Sequence, residues 1–303
     1  FYFATNGYEI KYQGEFANII GNLNLKINSI FQSPNYTLNF FGFGNETENL
    51  ENAFGLDYNR VRVREFQLNP SLVYRAYGGS QFSFGLGYES IEVENTQNRY
   101  VENSSQLPSY IFKTNQFGSI NTKFEFENYD NKAYPTIGFK SSVDIGYKMN
   151  LDQSNRGYTY LIPELSITHK LVSSGKLVLA SRIKSQVNLG NNFEFYQAAS
   201  IGGTNGLRGF RNQRFTGNSY VFQNTDLRYS FDKIKTKLIP IRFGLFGGFD
   251  YGRVWFDNED SNKWNNSYGG GFFMSGVDVI TTNLGVYNSI DGIRIAFSLG
   301  FGF

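Results

Sequence analysis

What most constrains this chain is a strict two-residue alternation that recurs from end to end. Over the last stretch, Ile293, Ile295, Phe297, Leu299, Phe301 and Phe303 fall on one face, and Arg294, Ala296, Ser298, Gly300 and Gly302 on the other. A period of two with that contrast means an extended strand with one apolar side and one small or polar side. Segment 219–231 repeats it, with Val221, Leu227, Tyr229 and Phe231 opposing Asn224, Asp226, Arg228 and Ser230. Segment 241–252 sets Ile241, Phe243, Leu245, Phe249 and Tyr251 against Arg242, Gly244, Gly248, Asp250 and Gly252. Segments 137–148 and 176–189 behave in the same way. Such segments outrun the roughly 5–6 residues of a sandwich strand and suit the roughly 9–11 that a tilted membrane strand needs. The predicted fold class is therefore all-β, a transmembrane antiparallel β-barrel forming one domain over 1–303, with apolar rows toward lipid and ionised rows toward a lumen.

Composition agrees with a wall that has one wet and one greasy face. The 303 residues are 40% hydrophobic and 18% aromatic, with 33 glycines and only 6 prolines. Phe, Tyr, Ile, Val and Thr favour strands. No uninterrupted apolar run is long enough for a transmembrane helix. A net charge of +2 implies no polyanion, so nucleic acid is not an expected partner. The chain has no cysteine, which excludes a disulfide framework and thiol chemistry. It opens FYFATNGYEIKY, without a basic or apolar leader, so if the protein is exported, this is expected to be a fragment cut from a longer precursor.

The alternation predicts fourteen strands, at 8–17, 22–32, 36–43, 58–75, 80–94, 115–128, 134–149, 158–171, 176–189, 219–231, 241–255, 267–276, 278–288 and 291–303. Short connections such as Ser33-Pro34-Asn35 alternate with long ones at 44–57, 95–114, 190–218 and 256–266. Outer-membrane barrels show short periplasmic turns and long external loops, and an even count puts both termini on the short-turn side. Phe1-Tyr2-Phe3 before Ala4-Thr5-Asn6-Gly7 reads as the end of an earlier strand and a turn. Tyr158/Tyr160 and Trp255/Phe256 are expected in interfacial girdles. Arg60, Arg62 and Arg64 are expected to line the lumen. His169, the only histidine, falls on the lipid-facing side, so no Ser/His/Asp triad is available. No metal cluster or cofactor motif is visible, and no enzymatic activity is expected.

Within the longest connection lies Gly202-Gly203-Thr204-Asn205-Gly206-Leu207-Arg208-Gly209-Phe210. Its glycines allow positive φ and close backbone approach, and Arg208 projects from the tip. A guanidinium folded into a lumen must be paired. Asp226 and Asp250, on the inward faces of the next two strands, are the candidate partners. The alternative is a mobile surface loop whose arginine is incidental.

Gly206-Leu207-Arg208-Gly209-Phe210 resembles the Arg-Gly-Phe lumen loop of the BamA/TamA outer-membrane assembly and translocation superfamily. The order that follows is similar too: Asn224-Thr225-Asp226-Leu227-Arg228, then Phe249-Asp250-Tyr251-Gly252, then a last strand ending Gly300-Phe301-Gly302-Phe303. Leu207 stands where the family usually carries Val or a similar aliphatic. Asn39-Phe40-Phe41-Gly42-Phe43-Gly44-Asn45-Glu46-Thr47 resembles members from Bacteroidota, some of which carry a calcineurin-like phosphoesterase. The resemblance implies contact between the loop arginine Arg208 and Asp226 and Asp250. It also implies a lateral seam between first and last strands, and a sixteen-stranded barrel whose first strands and periplasmic domain lie upstream of residue 1. The implied setting is the outer membrane of a Gram-negative bacterium. The implied partners are the lipid bilayer, unfolded outer-membrane or secreted clients, and periplasmic accessory proteins. Other readings are an anchor for a fused periplasmic enzyme, a passive pore, and a soluble β-sandwich binding module.

Overall fold

In the computed structural model, the described residues are 6–153, 155–190, 192–235, 240–257, 259–276 and 280–300. The strands are β1 (Glu9–Ile20), β2 (Leu23–Asn39), β3 (Arg60–Arg75), β4 (Ser80–Val93), β5 (Asn115–Tyr129), β6 (Gly138–Asn150), β7 (Gly157–Lys170) and β8 (Leu177–Leu189). There follow β9 (Ala199–Ile201), β10 (Phe215–Gly217), β11 (Ser219–Ser230), β12 (Ile234–Lys235), β13 (Pro240–Trp255), β14 (Asn265–Gly276), β15 (Ile280–Ser289) and β16 (Gly292–Leu299). One antiparallel sheet runs β1 through β8, then β11, β13, β14, β15 and β16, with the stub β12 beside β13. Strands β9 and β10 form a separate hairpin. The wall is thus a meander of sequential neighbours, the topology of a membrane barrel. Among the described residues its hydrogen-bonded path ends at β1 and at β16.

The two faces sort as the alternation requires. On β11, Leu227 and Tyr229 are exposed, whereas Asn224, Asp226, Arg228 and Ser230 are buried. Phe82, Phe84 and Leu86 of β4, Leu165 and Ile167 of β7, and Phe243, Leu245 and Phe249 of β13 all face outward. These greasy rows do not meet one another in a dry core, so the band they form is a surface for hydrocarbon. His169 lies in the same exposed row of β7. No described helix is long and apolar enough to cross a membrane.

Three sequence expectations change. Ser33-Pro34-Asn35 is not a turn: β2 runs through it, with a register shift between Gln32 and Tyr36. Pro34 has no N–H to give the ladder, so pairing lapses locally while the strand continues. Among the described residues the sheet still has fourteen strands, but the stub β12 takes the place of 36–43. Thirteen strands therefore form the wall path, and β1 starts at the long-loop rim.

Secondly, Arg62 and Arg64 point out of the lumen, paired with Glu94 at 3.2 Å and Glu92 at 3.7 Å, while Val61 and Val63 are buried. Here the polarity of the wall inverts. The outward row of β3 passes from Arg62 and Arg64 to Phe66 and Leu68, so the strand rises out of the apolar band into water. Inside, Val61 and Val63 join Phe40, Ile91, Val93, Val101, Ile111, Phe117 and Phe195 in a dry core under the long connections. Thirdly, Tyr158 is buried on the inner face rather than in a girdle, and Phe256 stacks on Phe43 at 4.7 Å. Trp255 keeps the outward position expected of it and meets Trp264, which stacks on Tyr251.

Opposite the long loops, the β5–β6 connection turns under the lumen. Tyr134 is buried there, stacked on Phe273 of β14 at 5.1 Å. Asp130 organises the turn by accepting from the backbone N–H groups of Asn131, Thr136 and Ile137 at 3.0, 2.9 and 3.1 Å.

Candidate functional site: the arginine loop inside the wall

Residues 192–218 of the longest connection fold inward instead of out. Hairpin β9–β10 carries them, and Ala199, Ile201, Leu207, Phe210 and Phe215 bury against Tyr220, Phe222 and Val254 of the inner wall. Phe210 meets Phe215 edge-on at 5.2 Å. Leu207 and Phe210 are thus the apolar pegs of the motif, and together they expel water around the tip. Gly206 has φ +108° and packs against the Phe222 ring, where a Cβ would stand 2.9 Å from the ring carbons. Its carbonyl accepts from Asn224 Nδ2 at 2.5 Å.

Arg208 reaches both candidate acids. Its Nη2 is 2.6 Å from Asp250 Oδ1 and 2.8 Å from Asp226 Oδ1. Its Nε donates to Asp250 Oδ1 at 3.0 Å, and its backbone N–H donates to Asp250 Oδ2 at 2.8 Å. The guanidinium lies over the Tyr287 ring at 4.5 Å. Asp250 is wholly buried and also accepts from Asn224 Nδ2 at 2.7 Å and Ser267 Oγ at 3.0 Å. Buried carboxylates survive only with such donors. Burial works against the charge on Arg208, but the Asp226 and Asp250 carboxylates outweigh it and hold the guanidinium pKa above its usual value. Gly209 completes the seat, donating its N–H to Ser267 Oγ at 3.1 Å and accepting from Ser289 Oγ at 2.8 Å.

Register explains the convergence. Asp226 pairs across from Gly248, and Asn224 from Asp250. All four positions share one face, and the glycine leaves the gap that the guanidinium fills. A Cβ at Gly248 would lie 2.7 Å from Arg208 Nη2 and 2.8 Å from Asp226 Oδ1. Gly248 is a residue that sequence reasoning placed on the inner face without giving it a role. Two further arginines were missed. Arg211 Nη2 donates to Glu51 Oε2 at 2.7 Å, in the short helix α1 (Glu51–Phe54). Arg214 Nε donates to Asp291 Oδ2 at 2.6 Å. Their spacing of three from Arg208 and from each other was the available signal.

Between this loop and the inner face of β16 lies a cavity of about 340 Å³, lined among others by Arg208, Asp226, Tyr287, Arg294 and Ser298. Gly300 has φ +78° and donates its N–H to Thr281 O at 2.6 Å. Phe301, Gly302 and Phe303 lie outside the described residues. Among the described residues, no group of three or more His, Cys, Asp or Glu side chains is placed to hold a metal.

A meandering wall with an outward apolar band, enclosing a loop pinned by an arginine, defines a transmembrane β-barrel with an internal loop. The Omp85 superfamily domain matches residues 2–302, and the chain belongs to that outer-membrane superfamily. Among solved structures it is similar to BamA from Haemophilus ducreyi lacking POTRA domains 1–3, with a TM-score of 0.64 and 18% identity over 98% of this chain. The match covers 62% of that chain, so this sequence spans less than two thirds of it. At that identity the likeness is one of fold. Comparison with curated proteins gives no match.

Proposed function

We propose that this chain is the membrane barrel of an assembly or translocation protein in the outer membrane of a Gram-negative bacterium, working through a lateral seam between β1 and β16. The observation that carries the reading is the pair of strands without a second neighbour among the described residues. A strand edge presents a row of unpaired N–H and C=O groups, which can template an incoming strand by β-augmentation. The inner face of β16 and its continuation, with Ala296, Ser298 and Gly300, offers little side-chain interlock to hold a neighbour, so that edge is easily freed. Unfolded outer-membrane or secreted proteins are the clients, and the folding energy of the client drives insertion without a nucleotide. Arg208 keeps the loop seated against β11 and β13 while the edge works.

The chain has no cysteine of its own, so one engineered disulfide between β1 and β16 is unambiguous. With the protein in lipid vesicles, oxidation is expected to stop insertion of an unfolded outer-membrane client, and reduction to restore it. Insertion that proceeds equally with the strands locked would refute the seam. A barrel acting only as an anchor for a fused enzyme predicts no insertion above that of protein-free vesicles in either state.

A further inference from the structure

The second arginine pair does something that the first does not. Arg208 holds the loop to the middle of the wall. Arg214 holds it to the rim, at the place where the wall path ends. Its Nε donates to Asp291 Oδ2 at 2.6 Å, and its Nη2 to Asp291 Oδ1 at 3.4 Å. Its Nη1 and Nη2 reach Thr47 Oγ1 and Thr47 O, both at 2.8 Å. The guanidinium is buried between the rings of Phe41 at 4.7 Å and Phe215 at 4.6 Å. Asp291 stands in the β15–β16 turn, one residue before β16. Thr47 stands in the β2–β3 connection, which leaves β2 beside the start of β1. One side chain therefore spans from the last strand's entry to the loop over the first strand's partner.

Its neighbours bind the same two sides. Arg211 pairs with Glu51 of α1, and the Asn39 N–H at the end of β2 donates to Gln213 Oε1 at 3.0 Å. Toward β16, Ser289 Oγ donates to the Gly209 carbonyl. Residues 209–214 form a strap across the long-loop rim, with the Arg214–Asp291 pair as its fastening on the β16 side.

We propose that Arg214 and Asp291 are a releasable clasp that keeps β1 and β16 together at the long-loop rim, and that the seam opens there when this pair parts while Arg208 stays seated. This rests on the seam reading above. The asymmetry between the two arginines supports it. Arg208 faces two carboxylates, and its departure would take the closest cation from both, leaving Asp226 only the longer contact to Arg228 at 3.4 Å, a heavy penalty. Arg214 is ion-paired with one carboxylate, beside a cavity of about 450 Å³ lined among others by Glu46, Thr47, Glu48, Lys263 and Asp291. Water entering there hydrates both charges as they separate, so the clasp can open at moderate cost. Bidentate arginine geometry gives the closed state a single register.

The test places spin labels at Ile10→Cys and Ile293→Cys, both outward-facing, at the starts of the two edge strands. Distances are measured in vesicles. Arg214→Ala, and the isosteric Asp291→Asn as a milder variant, should raise the ratio of long to short distances about tenfold, the effect of losing one charge-assisted contact. Arg214→Lys, which keeps charge without the fork, should fall between. A second pair, Ile20→Cys with Leu299→Cys at the opposite rim, should change less. Unchanged Ile10–Ile293 distances in both Arg214→Ala and Asp291→Asn would overturn the clasp. The seam reading fails by a separate readout, unaltered client insertion with β1 and β16 cross-linked. In that case a widened rim would leave the fastening but overturn the opening it serves.

Discussion

Among single residues, Arg208 and the two acids it meets hold the loop in place. Arg208→Ala takes the closest cation from the buried Asp226 and Asp250, with Arg228 still 3.4 Å from Asp226, and removing one partner of a buried pair costs about 3–5 kcal/mol in comparable sites. The expected outcome is a lower melting temperature in detergent and new protease cleavage within 203–215. Unchanged melting and unchanged cleavage would contradict it. Gly248 offers an independent approach from the opposite side. Gly248→Val should destabilise in the same direction, by about 1–3 kcal/mol, because its side chain must enter the space that Arg208 occupies. Gly247→Ala is the control. A Cβ there meets only the Gly269 carbonyl, at 3.9 Å, and thermal melting should stay within about 0.5 kcal/mol of the parent. Arg208, Asp226 and Asp250 were legible in the sequence because strand parity alone puts both acids on the inner face, two strands in succession. Arg211 and Arg214 were not, because their partners Glu51 and Asp291 lie 160 and 77 residues away, on loops whose folding no alternation describes.

At the scale of elements, strand periodicity located the wall, and the errors fell where one element changes solvent. Arg60, Arg62 and Arg64 alternate with Val61 and Val63 as cleanly as any lumenal stripe. Parity cannot say which side is wet, and on β3 the answer reverses between Arg64 and Phe66. Pro34 misled in another way: within a long strand it interrupts pairing without ending the element. The β5–β6 turn yields a pH-dependent prediction. Burial pushes the Asp130 carboxyl up, but donors from Thr136, Ile137 and Asn131 outweigh it and hold its pKa below the usual value. A carboxyl lowered on folding stabilises the native state above its unfolded pKa and loses that contribution as pH falls through the folded value. Asp130→Ala should therefore lower stability at neutral pH, by about 1 kcal/mol or less because water screens an exposed carboxylate. The difference from the parent should shrink below about pH 4. Melting curves in detergent across that range check it. A gap that stays constant into strong acid would show that the carboxylate charge is not what orders the turn.

In the whole molecule, the thirteen wall strands among the described residues present their apolar rows to lipid and enclose an arginine-pinned loop. Tryptophan gives a first check without mutation. The chain has two tryptophans, and both Trp255 and Trp264 stand partly exposed in one aromatic cluster with Tyr251 near the end of the apolar band. Lipids brominated near the headgroup should quench their emission more than lipids brominated near the chain ends, as interfacial aromatics require. The most direct measurement is a cysteine scan of β11 from Thr225 to Ser230 in vesicles, with a fluorescent label at each site and a quencher carried on the lipid chains. Strong quenching is expected at Leu227 and Tyr229, and weak quenching at Asp226, Arg228 and Ser230. Quenching that does not alternate, or that peaks at Asp226 and Arg228, would contradict it.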